Sequence, residues 1–172
     1  MRTYAAHVNG IVQDGETRMW IARRSGDKAV DPGLLDSLVG GGIAAGMRVD
    51  QTVQKEAWEE AGIPAMLAGR ARPAGVVHSC KPMFDGLQRE TLFVHDLVLP
   101  PQFVPSNQDG EAIEHRLVSL HEAARLIAVE HGDDAVTLDA SVVVLDYLIR
   151  HGEISPDQPR YARLAELLAK RL

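Results

Sequence analysis

One cysteine, Cys80, is all that this 172-residue chain carries. A lone thiol excludes an intramolecular disulfide and any zinc site built from several thiolates. Its place in a strand pattern leads us to expect a buried, unreactive side chain. Aromatic residues are scarce too, with three Phe, two Trp and three Tyr, so few rings are available to line a pocket. Nor does positive charge dominate. Eighteen Lys and Arg stand against 24 Asp and Glu, for a net charge of -6, which argues against a general nucleic-acid binder with a basic face. It leaves room for a local cationic pocket. No apolar run reaches membrane-spanning length. The N-terminus MRTYAAHVNG has no basic segment followed by an apolar stretch, so we expect no signal peptide, no membrane association and a cytoplasmic location. What is present, 45% apolar and 24% charged residues, is the composition of an ordinary globular protein, and the length suits one domain.

Along the chain, residues 3–12 read as extended, Asp14-Gly15 as a hairpin turn and residues 19–23 as the returning strand. SGDKAVDPGLLDS is a loop, and Leu38-Val39 is a short strand feeding three glycines. Asp50 is a plausible N-cap for the helix that follows, which Gly62 and Pro64 close. Residues 74–80 and 90–99 are strand candidates joined across Asp85-Gly86. LPPQFVPSNQDG is a proline-rich loop leading to a strand around residues 115–120. Helices are expected at 121–129, 138–150 and 158–170, the last with Leu164, Leu167 and Leu168 at helical spacing. Mixed strands around one central helix, followed by helices, predict an α/β or α+β sandwich.

The stretch GGGIAAGMRVDQTVQKEAWEEAGI (residues 40–63) stands out. Glu56, Glu59 and Glu60 fall at i, i+3 and i+4 and so share one helix face. Like charges so placed weaken a helix by roughly a few tenths of a kcal/mol per pair, and two of them sit in the last turn, where the helix dipole disfavours anions. Stability does not call for this; a divalent cation would. Magnesium takes hard oxygen ligands, and a loop ending in glycines lets the backbone approach metal and phosphates. Val53, Ala57 and Ala61 form the helix's apolar edge, and Trp58, away from the carboxylates, is expected to pack.

The segment resembles the Nudix box, G-x5-E-x7-R-E-U-x-E-E-x-G-U with U bulky and aliphatic. Aligned from Gly41 to Ile63, it matches at Gly41, Glu56, Glu59, Glu60, Gly62 and Ile63. Met47 replaces the first glutamate, Lys55 the arginine and Ala57 the aliphatic residue. In the family that glutamate and arginine pair and hold the catalytic face, and losing both together leaves no orphaned charge. The resemblance implies a Nudix-type α/β/α sandwich with a mixed sheet, a central box helix and extra C-terminal helices, in one domain over residues 1–172. It implies magnesium, with manganese as the alternative, held by Glu56, Glu59, Glu60, the Gly40 carbonyl and Glu111, preferred over Glu114. Glu56, Glu59 and Lys55 are the catalytic candidates, and either glutamate could be the base. Isopentenyl diphosphate isomerases share the fold but need a cysteine where this chain has glycines.

The likeness runs on through MWIARRSGDKAVDPGLLDSLVGGG, HVNG, DGLQRETLFVHDL, FVPSNQDGE and LDYLIRHG, which resemble the Nudix branch related to thiamine pyrophosphokinase. That branch includes enzymes that hydrolyse thiamine diphosphate and its oxidised analogues. Its members often carry an additional N-terminal domain, not expected here because Met1 leads straight into a strand. The implied reaction is hydrolysis of a small organic diphosphate to a monophosphate. The competing readings are a nucleotide-linked pyrophosphatase of the ADP-ribose or nucleotide-sugar type and a ligand-binding module that has lost its chemistry. Arg23, Arg24 and Lys28 either bind the substrate or form a solvated strand end and loop. His78, His95 and His115 lack a metal-ligand spacing and are read as core or surface residues. The helices after His121 either cap the sheet or contribute to a homodimer.

Overall fold

A computed structural model describes residues 2–84 and 86–169. The turn residue Asp85 and the expected helix end at Lys170 lie outside them. The elements run β1 (Arg2–Asp14), β2 (Glu16–Arg24), β3 (Leu35–Ser37), β4 (Val39–Gly42), α1 (Val49–Ala61), α2 (Ala65–Ala68), β5 (Arg72–Met83), β6 (Gly86–Leu99), β7 (Ala112–Ser119), α3 (Leu120–Leu126), α4 (Leu138–Arg150) and α5 (Tyr161–Ala169). The strands form one seven-stranded sheet in the order β3-β2-β1-β6-β5, with β4 added beside β1 and β7 beside β2. β1 and β6 run parallel from Arg2↔Arg89 to Val12↔Leu99, and the other pairings are antiparallel. The sheet is therefore mixed, as expected.

β1 explains the layering. Residues 5–12 are buried without interruption, which a strand achieves only when both faces are covered. Ala6, Val8 and Val12 pack with Val53, Ala57 and Ala61 of α1. Ile11 packs with Leu120 and Ala123 of α3 and Val144 and Leu148 of α4. Ala5 meets Val143 of α4. Helices on both faces of a mixed sheet make an α/β/α sandwich.

Several local expectations change. The N-cap of α1 is Arg48, not Asp50: Arg48 is extended and its backbone N–H donates to Gln51 Oε1 (3.0 Å), while Asp50 sits in the first turn. An anion there still complements the helix dipole. Pro64 caps a further short helix, α2, where only a helix stop was expected. α3 ends at Leu126, short of residue 129, and α5 begins at Tyr161. Trp58 is not packed; it is 52% exposed. Cys80 is half-buried rather than buried, because β5 is an edge strand.

Candidate active site

α1 ends where its carboxylates need it to. Gly62 adopts φ 62° and donates to the Trp58 carbonyl, a left-handed cap that favours glycine. A Cβ there would lie 2.8 Å from the Ser106 carbonyl oxygen. The loop before β7 passes that close because Ser106 N–H donates to the Ala61 carbonyl (3.0 Å) and Gln108 N–H to the Glu59 carbonyl (2.7 Å), partnering carbonyls that a helix end leaves open. His115 fixes the same turn through the Glu60 carbonyl (3.2 Å).

The glycines of β4 face these carboxylates. A Cβ on Gly41 would fall 2.4 Å from both Cγ and Cδ of Glu56, so the side chain lies on bare backbone. Glu60 is 8% exposed and accepts the Gly40 N–H (2.7 Å). Burial pushes its carboxyl well above the usual range; the Gly40 N–H opposes this, and neighbouring Asp36 and Glu56 reinforce it. Lys55 donates to Glu56 Oε1 (3.0 Å) and Glu59 Oε2 (2.5 Å). Those bonds hold its ammonium above the ordinary lysine range.

Glu56, Glu59, Lys55 and Gly40 line a cavity of about 470 Å³, and Arg24, Lys28 and Glu111 line it as well. Glu60 lies in a narrow hollow beside it, bounded by Arg24, Asp36 and Glu111. Arg24 bonds Asp36 Oδ2 (2.7 Å) and the Val30 carbonyl, and Lys28 is paired with Glu111. Arg23 is not brought to the cavity. Its guanidinium reaches Glu114 (2.9 Å), Asp134 (3.2 Å) and the carbonyls of Gly33 and Asp133. Neighbouring strand residues point to opposite faces, so the pair could not serve one pocket. Glu114 belongs with Arg23, and Arg116 and Arg23 draw its carboxyl down to about 2.

The sequence reading missed His7, Asp36, Lys81, Glu90 and Asp139, all cavity-lining. His7 bonds Ser37 Oγ (3.1 Å) and packs against Gly40; alternation along β1 puts it on the face of Ala5, a signal available in HVNG. The others come from strands and a helix far apart in sequence.

The donor set suits a hard cation: carboxylate oxygens, one of them buried with a single backbone donor. Among the described residues no three such side chains already converge as a metal cluster; the ammonium of Lys55 lies between Glu56 and Glu59. A cation would take the place of its ammonium.

The NUDIX domain matches residues 3–139. The chain belongs to the Nudix family. It is 41% identical over 95% of its length to Nudix hydrolase 24, chloroplastic, and 38% identical over 99% to Nudix hydrolase 20, chloroplastic, both from Arabidopsis thaliana. It spans 44% and 45% of those relatives, less than half of each. Among solved structures, the NUDIX domain of Shewanella oneidensis NrtR complexed with ADP ribose superimposes with a TM-score of 0.65 at 13% identity, over 88% of this chain and 89% of that one. At that identity the likeness concerns the Nudix fold. Among the described residues no helix is long and apolar enough to cross a membrane.

Proposed function

We propose that residues 1–172 form a single Nudix domain that hydrolyses the phosphoanhydride bond of a small organic diphosphate. The observation that carries this reading is one cavity with α1 carboxylates against bare glycine backbone on one wall and Arg24 and Lys28 on another. Glu56, Glu59, Glu60 and the Gly40 carbonyl would hold magnesium or manganese, with Glu111 once Lys28 turns to the substrate. Such an ion, when bound, offsets phosphate charge and makes water more acidic. Glu59, with 35% of its side chain exposed against 13% for Glu56, is the group placed to accept the proton of the attacking water. As oxygen adds to phosphorus, the bond to the bridging oxygen breaks. Arg24 and Lys28 balance the charge that the ion leaves on the bound diphosphate. Lys55, released from Glu56 and Glu59, is free to meet a phosphate oxygen.

For the substrate we propose thiamine diphosphate or an oxidised analogue, giving a thiamine-type monophosphate and phosphate, with the oxidised analogues turned over faster. The resemblance of residues 19–42 to the thiamine-related branch supports this. No Phe, Trp or Tyr lines the cavity among the described residues, so Ala5, Val30 and His7 would have to contact the rings. A panel of thiamine diphosphate, an oxidised analogue, ADP-ribose and a nucleotide sugar, each with magnesium, tests the assignment. Glu56→Gln and Glu60→Gln should lower turnover of the preferred compound by about 10²–10⁴-fold with the fold intact. Full turnover in either variant would sink the reading. Preference for ADP-ribose would retain the hydrolase and replace the substrate. Tight binding without turnover would make the chain a ligand-binding module.

A further inference from the structure

The cavity has a second end. β4, β1, β6 and β5 lie side by side, so three strand spacings, about 14 Å in all, separate the glycines from β5. At that end Lys81 of β5 is paired with Asp139 of α4 and lies 3.5 Å from Asp31 Oδ2. Asp139 also accepts the Ser79 hydroxyl. Glu90 of β6 receives only a 3.3 Å bond from Gln88 Nε2 among the described residues. Three carboxylates therefore face one ammonium, an excess of two negative charges. An ammonium already sits between Asp31 and Asp139, which shows the chemistry that this wall accepts. A second phosphate would meet uncompensated negative charge here, whereas a cation would gain from it.

We propose that this far end is a cation-selecting subsite, in which Asp31 and Glu90 accept the positively charged or amino-bearing end of the diphosphate's organic group. Asp139, held by Lys81 and Ser79, is the fixed part of the wall. The assignment rests on cleavage at the α1 end, which sets which part of the substrate reaches β5. It favours diphosphates of cationic or amino-bearing groups over those of neutral chains and over substrates with further phosphates.

The test compares kcat/KM for thiamine diphosphate, whose thiazolium is cationic, with that for isopentenyl diphosphate, whose chain is neutral, in the full chain with magnesium. In Glu90→Gln and in Asp31→Asn the ratio of the two should fall about tenfold, as expected for loss of one charge-assisted contact, and the change should lie in KM. Glu90→Asp should restore most of the ratio. A ratio that both neutral variants leave as it was overturns the subsite and leaves the hydrolase standing. If neither compound is hydrolysed, thiamine alone is titrated calorimetrically, since it carries the cation without the diphosphate. Weaker binding to Glu90→Gln than to the unaltered chain then upholds the subsite without the hydrolase; equal binding, or none to either, overturns it.

Discussion

Arg23 and Arg24 are neighbours in β2, yet the clusters they join settle their charge in opposite ways. Around Arg23, two arginines meet two carboxylates: Arg23 and Arg116 with Glu114 and Asp134. The carboxylates are about half exposed, and Glu114 is held ionised down to about pH 2 by its partners. Around Arg24, acid is in excess. Asp36, Glu56, Glu60 and Glu111 crowd one end of the cavity and its neighbouring hollow, and burial drives the Glu60 carboxyl upward. Charges paired one for one join β2 to β7. Buried acid without enough base forgoes stability, and such a place is where a cation and a reaction belong.

The sharpest way to break this contrast is to remove each arginine in turn. Arg24→Ala should raise KM for the preferred diphosphate roughly tenfold with a smaller change in kcat, because a charge-assisted contact made in the ground state is lost. Arg23→Ala should leave KM near its original value. It should destabilise the fold by about 1–3 kcal/mol, since the carbonyls of Gly33 and Asp133 lose their donor. For a chain of this length that is about 2–12 °C in Tm. Steady-state kinetics and thermal melts on both variants decide the matter. A KM effect from Arg23→Ala and none from Arg24→Ala would reverse the assignment.

A smaller effect concerns Lys55, which bridges Glu56 and Glu59. If its ammonium occupies the place of a cation, Lys55→Met should tighten Mn²⁺ binding to the substrate-free protein. Half-exposed charges interact through a high effective dielectric, so the gain should be only about three- to tenfold. Titration followed by the paramagnetic signal of free Mn²⁺ measures it. Unchanged affinity would mean that Lys55 does not compete with the ion.

What could be read in the sequence divides along the same line. Glu56, Glu59 and Glu60 were legible because their relation is set by one helix, and Gly62 announced where that helix ends. The longer strands were legible from alternation and turn residues, whereas the three residues of β3, Leu35–Ser37, lie inside the stretch that reads as a loop. Arg23 and Arg24 could not be told apart in the sequence, because only the pairing of β2 in the sheet shows which of its two faces turns to the cavity. Asp36, Glu90 and Asp139 were missed for a related reason. They lie on β3, β6 and α4, and only the pairing of β1 with β6 and the packing of α4 on the sheet bring them together. The N-cap at Arg48 was hidden because its backbone, not a capping hydroxyl or carboxylate, makes the contact with Gln51.

The smallest predicted effect lies outside both arginine clusters and checks that burial alone can shift a titration here. His95 is 6% exposed in β6, and desolvation lowers its pKa from the ordinary 6.5, against the opposing influence of the Phe93 carbonyl, which its Nδ1–H reaches at 3.2 Å. Above pH 6.5 the ring is neutral in both the folded and the unfolded chain, and it contributes no pH dependence. Below that value the unfolded chain takes up the proton first, so stability is lost as the pH falls from 6.5 toward the lower folded value. One group can supply at most about 1.4 kcal/mol per pH unit, or about 3–6 °C in Tm over that interval. Melting curves at pH 7.5 and 5.5 should therefore converge more closely for His95→Gln than for the unaltered protein. Part of the loss will persist, because His115 is shifted the same way by burial. Glu114 contributes almost nothing in this range, because at pH 5.5 and above its carboxyl is ionised in the unfolded chain, with its ordinary value of 4.5, as well as in the folded one. An undiminished loss of Tm in His95→Gln would show that burial of this ring carries no titration cost.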